Sequence, residues 1–174
     1  MQASVMQVND FIADKRTLVI PVYQRNYDWK ISNCEQLFDD VEFIAKNGGE
    51  HFIGTFVYQH KPAAGIFQEY VIIDGQQRIT SIILFAKALC DLTDDEELKR
   101  DIRSTFIKHS GGKLKGKCKL RPTEYDCATF EKLMSDDFNE NNFTPQEKDS
   151  ALYSVLFGAG VAFKGIAFLF RGDR

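Results

Sequence analysis

Apolar residues recur along the chain in two alternating rhythms, and those rhythms predict most of the elements. Val5, Val8, Phe11 and Ile12 give a short amphipathic helix from Ser4 to Ala13. Thr17 to Ile20 is β-branched and apolar, a strand stopped by Pro21. Ser32 and Glu35 match a capping box, with Ser32 at the cap of a helix whose buried side carries Leu37, Phe38, Val41 and Ile44 and which Gly48-Gly49 ends. His51 to Tyr58 is expected as a strand with Gly54 inside it, residues 59–69 as a loop, and Val71 to Ile73 as a second strand that pairs with the first. From Arg78 the apolar set Ile79, Ile82, Ile83, Ala86, Leu89 and Cys90 falls on one helical stripe. Thr93 with Glu96 opens another helix, buried through Leu98, Ile102 and Phe106. Thr123 caps a helix running to Met134.

Two stretches break the rhythm. Lys113, Lys115, Lys117 and Lys119 alternate with Leu114, Gly116, Cys118 and Leu120, which has the period of a strand with one face of lysines. Such a row either guards a solvated sheet edge or touches a phosphate backbone. Residues 135–150 are acidic, Asn-rich and Pro-containing, and predict a linker or exposed loop between a domain over 1–134 and a helical segment over 151–174. Residues 151–170 hold a single charge, Lys164, and reach the length of a bilayer span, but three glycines and the central Lys favour a buried helix.

Composition adds little to this picture and removes several classes. Of 174 residues, 44% are hydrophobic and 27% charged, with 15 Phe, which suits a folded domain with a filled core. The net charge of −3 excludes a molecule that binds nucleic acid by bulk charge, so an anion site has to be local. Cysteines at 34, 90, 118 and 127 show no C-x-x-C spacing, and His51, His60 and His109 complete no zinc pattern. Reduced thiols in a cytoplasmic protein are the expectation.

The chemistry concentrates in Val71-Ile72-Ile73-Asp74-Gly75-Gln76-Gln77-Arg78-Ile79-Thr80-Ser81. An apolar run ends in Asp-Gly, and a helix starts at once with two glutamines and an arginine. Free amides and the dipole at a helix start attract phosphate, and a guanidinium supplies a fork of donors. Equally, Arg78 may be the partner of a surface carboxylate. Gly75 permits positive φ and close backbone approach. Gln76 and Gln77 can donate to phosphate or orient a water, and Thr80 offers a hydroxyl to phosphate or metal. Asp74 either holds Mg2+ through water or caps the helix. A second segment, Pro21-Val22-Tyr23-Gln24-Arg25-Asn26-Tyr27-Asp28-Trp29, has no period. Arg25 is either a second cation over a phosphoryl group or the partner of Asp28 or Asp39. Tyr23, Tyr27 and Trp29 either stack on a base or fill the core.

Together, Pro21 to Trp29, His51-Phe52-Ile53-Gly54 and Ile73 to Thr80 resemble the amino-terminal domain of GmrSD-type restriction endonucleases, from about Val5 to about Met134. Leu120-Arg121-Pro122 followed by Asp126 and Phe130 looks like the next landmark of that family. The resemblance implies an α+β fold similar to ParB and sulfiredoxin, with a small mixed sheet, flanking helices and a helical carboxy-terminal part. It implies a nucleoside triphosphate with Mg2+, bound by Gly75 to Arg78 and by Tyr23, Gln24 and Arg25 as a second wall, with Gln77, Arg78 and Arg25 acting in hydrolysis. It further implies a role in prokaryotic defence, where hydrolysis is coupled to cleavage of phage DNA carrying modified bases. No His-Asn-His cluster is present, so the HNH nuclease is expected in a separate or downstream domain, and a truncated or frame-altered gene would account for its absence. A non-hydrolysing nucleotide-gated DNA-binding switch, or an inactive remnant, are the alternatives.

Overall fold

A β-branched strand with a fully buried leucine sets the middle of the fold. In the computed structural model, which describes residues 3–12, 15–62 and 68–170, β1 (Arg16–Val19) lies inside a four-stranded mixed sheet of order β2-β3-β1-β4. It runs parallel to β3 (Gln68–Asp74) on one side and to β4 (Leu120–Arg121) on the other, with Leu18 opposite Tyr70 and Leu120. β2 (Val57–Pro62) closes the edge antiparallel to β3, and the Tyr58 and Tyr70 rings stack across that pair at 4.5 Å. Helices α1 (Val8–Ile12), α2 (Ile31–Asn47), α3 (Gln76–Leu92), α4 (Glu96–Ile102), α5 (Glu124–Leu133), α6 (Pro145–Lys148) and α7 (Ala151–Phe170) flank the sheet, so the chain is α+β. α3 buries Ile79, Ile83, Leu84 and Ala88, and α7 meets it with Leu152, Val155, Leu156 and Ala159 at helical spacing. No helix among the described residues is long and apolar enough to cross a membrane.

Several expected boundaries moved, each for a local reason. The first helix is only Val8–Ile12, with Val5 fully exposed. The Arg16 guanidinium takes the carbonyls of Asp10 (2.6 Å) and Phe11 (3.3 Å) at its end, and the predicted end at Ala13 lies outside the described residues. α2 starts at Ile31 rather than after Ser32, because Asn33 Oδ1 accepts the Lys30 amide at 3.0 Å and supplies the cap expected of Ser32 and Glu35. Thr93 ends α3 instead of opening α4; the Asp95 carboxylate caps α4 by accepting from Glu97 and Leu98. In α4 Ile102 is buried, but Leu98 stays 42% exposed.

The lysine row does not form a strand. Gly112–Leu114 is a 3-10 turn, and Lys113 within it and Lys115 and Lys117 just after it are exposed. Lys119 goes the other way: it is buried, with its ammonium donating to the Thr105 carbonyl at 2.8 Å. Its alternation with the other three is broken by the turn, and its backbone joins the core by accepting from Leu18 at 2.7 Å. The strand expected at His51 to Tyr58 forms only from Val57 onward and continues to Pro62, where a loop was expected. Residues 63–67 of that loop, and 171–174 at the carboxy terminus, lie outside the described residues.

Within 135–150, Phe143 is buried in the same core as α3, and Asp136 is held by Arg103 (3.2 Å) and Lys108 (2.8 Å). Partial burial raises the Asp136 carboxyl, but the Lys108 hydrogen bond and the two cationic charges outweigh it and leave its pKa below the usual range. Its stabilising contribution is therefore present above the ordinary aspartate pKa and lost as pH falls through the lowered one. Asp136→Asn is expected to cost about 0.5 kcal/mol at neutral pH, since the site is half exposed. The difference from the parent in denaturant midpoint should vanish on acidification.

Candidate functional site at the carboxyl ends of the parallel strands

Parallel strands β1, β3 and β4 finish at the same edge of the sheet, and the segments that follow them converge there. This is the end of an α/β-type sheet where ligands are usually held. After β1 come Ile20, Arg25 and Tyr27; after β3 come Gln76, Gln77 and Thr80; after β4 come Pro122, Thr123 and Asp126. These residues line one small recess, with room for about one water molecule.

The turn between β3 and α3 explains its own sequence. Gly75 takes φ +93° at the cap position of α3, and a Cβ there would lie 2.5 Å from the Phe56 ring. A left-handed cap residue replaces the capping role considered for Asp74: no side chain caps this helix start. Its first-turn amides thus keep the partial positive charge of an uncapped terminus. Asp74 is 65% exposed and sits 3.7 Å from Arg78.

Arg78 is turned toward the 51–56 segment. Its Nη1 donates to the Ile53 carbonyl and its Nη2 to the Thr55 carbonyl, both at 3.0 Å, with the guanidinium 5.4 Å over the Phe56 ring. Gly54 between those carbonyls has φ +97°, and a Cβ on it would stand 1.6 Å from Arg78 Nη1. This is why the expected strand at 51–56 is missing: its carbonyls face a guanidinium instead of a neighbouring strand.

The two glutamines have separate tasks. Gln77 is buried and clamps the 26–29 loop: its Nε2 donates to the Asn26 carbonyl at 3.0 Å, while its Oε1 accepts from the amides of Asp28 (3.0 Å) and Trp29 (3.3 Å). Gln76 is 8% exposed and donates through Nε2 to the Arg25 carbonyl at 3.1 Å. That bond fixes the orientation of the amide, and Gln76 Oε1 is left buried with no partner. Thr80 is buried, and its hydroxyl donates to the Gln76 carbonyl at 2.8 Å. Gln24 ties the loop to β3 through the Ile73 carbonyl at 2.8 Å.

Arg25 and Asp28 pair at 2.9 Å on the surface, with side chains 64% and 53% exposed, so of the alternatives for Arg25 the partner is Asp28 and not Asp39. Tyr27 belongs to the core: its hydroxyl meets Ser81 Oγ at 2.7 Å, and burial pushes its phenol far up. Trp29 packs against the core, while Tyr23 is 71% exposed beside Val22. The recess therefore brings together Arg25, Gln76, Gln77 and Thr80; Tyr23, Gln24, Asp74 and Arg78 are not among the residues that line it.

Two residues of the recess had no part in the expected site: Thr123 was expected only as a helix cap and Asp126 only as a family landmark. Asp126 Oδ2 accepts the Tyr27 amide at 2.7 Å and the Thr123 hydroxyl at 3.3 Å, and burial raises its pKa despite those two bonds. Thr123 holds the cap position of α5, but its hydroxyl donates to Asn26 Oδ1 at 3.0 Å rather than capping. Their signal was present in Pro122-Thr123 with a carboxylate three residues on, at a helix start.

Three parallel strands of this α+β domain thus bring the uncapped start of α3, the exposed Arg25 and the buried Gln76 to one recess. Residues 8–159 match the model of the GmrSD restriction endonuclease N-terminal domain, and the chain belongs to that family. No curated protein matches it. The family places the chain among components of restriction systems.

Proposed function

We propose that this domain binds a nucleoside triphosphate at the carboxyl ends of β1, β3 and β4 and hydrolyses it, gating a nuclease that acts on DNA. The observation that carries the reading is the unpaired, buried Oε1 of Gln76, a residue that lines the recess beside the uncapped start of α3. A buried acceptor without a partner costs about 1–3 kcal/mol, and a site that meets a ligand is where such a cost is retained. The phosphates lie against the first-turn amides of α3, with Arg25 as the second cation.

The recess is much smaller than a nucleotide, so the 21–24 stretch and the Arg25 side chain have to yield on binding, while Gln76 and Gln77 keep the backbone of 25–29 in place. Arg25 is suited to this, because its exposed pairing with Asp28 is worth little and is readily exchanged for a triphosphate. Arg78 supports the site by holding the 51–56 segment next to Gly75. Among the described residues no group of three or more His, Cys, Asp or Glu is placed to hold a metal. Mg2+ enters on the phosphates, with the exposed Asp74 carboxylate at the turn available to it through water. The likeness to ParB and sulfiredoxin folds, the DNA partner and an HNH nuclease in another domain or chain belong to the same reading.

The test is phosphate release from each of four nucleoside triphosphates with Mg2+, alongside equilibrium binding. Turnover of at least one nucleotide is expected. Arg25→Ala is expected to weaken binding by about tenfold, equivalent to about 1.4 kcal/mol, with a melting temperature close to that of the parent. Saturable binding without turnover would leave a nucleotide-gated DNA-binding switch, and the absence of binding would overturn the proposal.

A further inference from the structure

We infer that Gln76, and not Gln77, holds the attacking water of the hydrolysis, in the recess that Gln76 helps to line. The inference rests on the nucleotide site proposed above and assigns one step within it. A glutamine that orients water needs an amide group free to accept from it. Gln77 has none: its oxygen already receives two amides and its nitrogen serves the Asn26 carbonyl. Gln76 has one, because its nitrogen is fixed on the Arg25 carbonyl and its oxygen has no partner. Gln76 lines a recess the size of about one water, together with Arg25, Thr80 and Asp126.

In the step, the water donates one hydrogen bond to Gln76 Oε1, which turns an oxygen lone pair toward the γ-phosphorus. The new bond forms between that oxygen and the γ-phosphorus. The bond from the γ-phosphorus to the β–γ bridging oxygen breaks, and its electron pair leaves on the nucleoside diphosphate. Both water protons end on the released phosphate, which gives one to solvent at neutral pH. The geometry of adjacent helix positions makes the division of labour possible: successive residues point about 100° apart, so Gln76 and Gln77 face different surroundings from one turn.

Two variants separate this role from a structural one. Gln76→Leu and Gln76→Glu both lose the donor to the Arg25 carbonyl, but Gln76→Glu keeps an oxygen that accepts from water. Turnover and nucleotide affinity are measured on protein whose melting shows a folded state. Gln76→Leu is expected to lower kcat by about 100-fold with dissociation constants within about threefold of the parent. Gln76→Glu is expected to stay within about tenfold in kcat and to gain an acidic limb in its pH profile. Equal kcat in the two variants, or a parent-like kcat in Gln76→Leu, overturns the inference while leaving the nucleotide site standing. A parent protein that binds no triphosphate overturns both. If Gln76→Leu does not fold, parent-like kcat with no new acidic limb in Gln76→Glu overturns the inference, and the acidic limb supports it.

Discussion

Gly54→Ala is expected to lower stability by about 4 kcal/mol. Two costs combine. A side chain at φ +97° is held in the left-handed region, at about 1–2 kcal/mol. The new Cβ would also stand 1.6 Å from Arg78 Nη1, so the guanidinium has to leave. Its hydrogen bonds to the Ile53 and Thr55 carbonyls go with it, and bonds to a charged group are worth about 1.5–3 kcal/mol each before discounting for the partial exposure of Arg78. Thermal unfolding should shift down by about 8–16 °C. The check is a double-mutant cycle. In an Arg78→Ala background the same glycine substitution should cost only the backbone strain, about 1–2 kcal/mol. Full additivity would mean that Gly54 and Arg78 do not act on each other.

Gln77→Ala is expected to cost about 3 kcal/mol. It removes one side chain but strands three backbone groups: the Asn26 carbonyl and the amides of Asp28 and Trp29. Each buried group left without a partner costs about 1–3 kcal/mol, and the partial exposure of this loop keeps the sum at the lower end. Gln77→Glu retains the acceptor for the two amides and loses only the donor, so it should fall between parent and Gln77→Ala in denaturant midpoint. Because the loop carries Arg25, Gln77→Ala is also expected to weaken nucleotide binding more than Arg25→Ala does. A variant with parent-like stability would show that the loop is held elsewhere.

Strands β1 and β3 and the long helices were readable because short-range patterning sets them. Leu18 and Ile72 sit in β-branched runs with no alternative to a buried strand, and Ile79, Ile83 and Ala88 keep one helical face. The missed features depend on partners far along the chain. The 51–56 segment is not a strand because Arg78, about 25 residues away, takes its carbonyls. Lys119 has the spacing of an exposed row but the burial of a core residue, because its backbone is shared with Leu18 and Ile107.

The site was legible in its location and less so in its parts. Asp-Gly-Gln-Gln-Arg marked the turn between β3 and α3, and the structure places it there, at the end of the parallel strands. The sequence could not tell which glutamine would be saturated and which left open, since both are the same residue one position apart. Nor could it tell that Arg78 would face protein carbonyls while Arg25 stays exposed, or that Asp126 would arrive from β4 to hold the Tyr27 amide.

The central claim is that a triphosphate docks where the loop after β1 meets the start of α3. Amide hydrogen exchange with and without saturating nucleoside triphosphate and Mg2+ tests it most directly. The account predicts altered exchange at the amides of 22–29 and 76–79, with Ile83 to Ala88 in the middle of α3 unchanged. Exchange identical at both segments for every triphosphate, or protection confined to a distant surface, would contradict it.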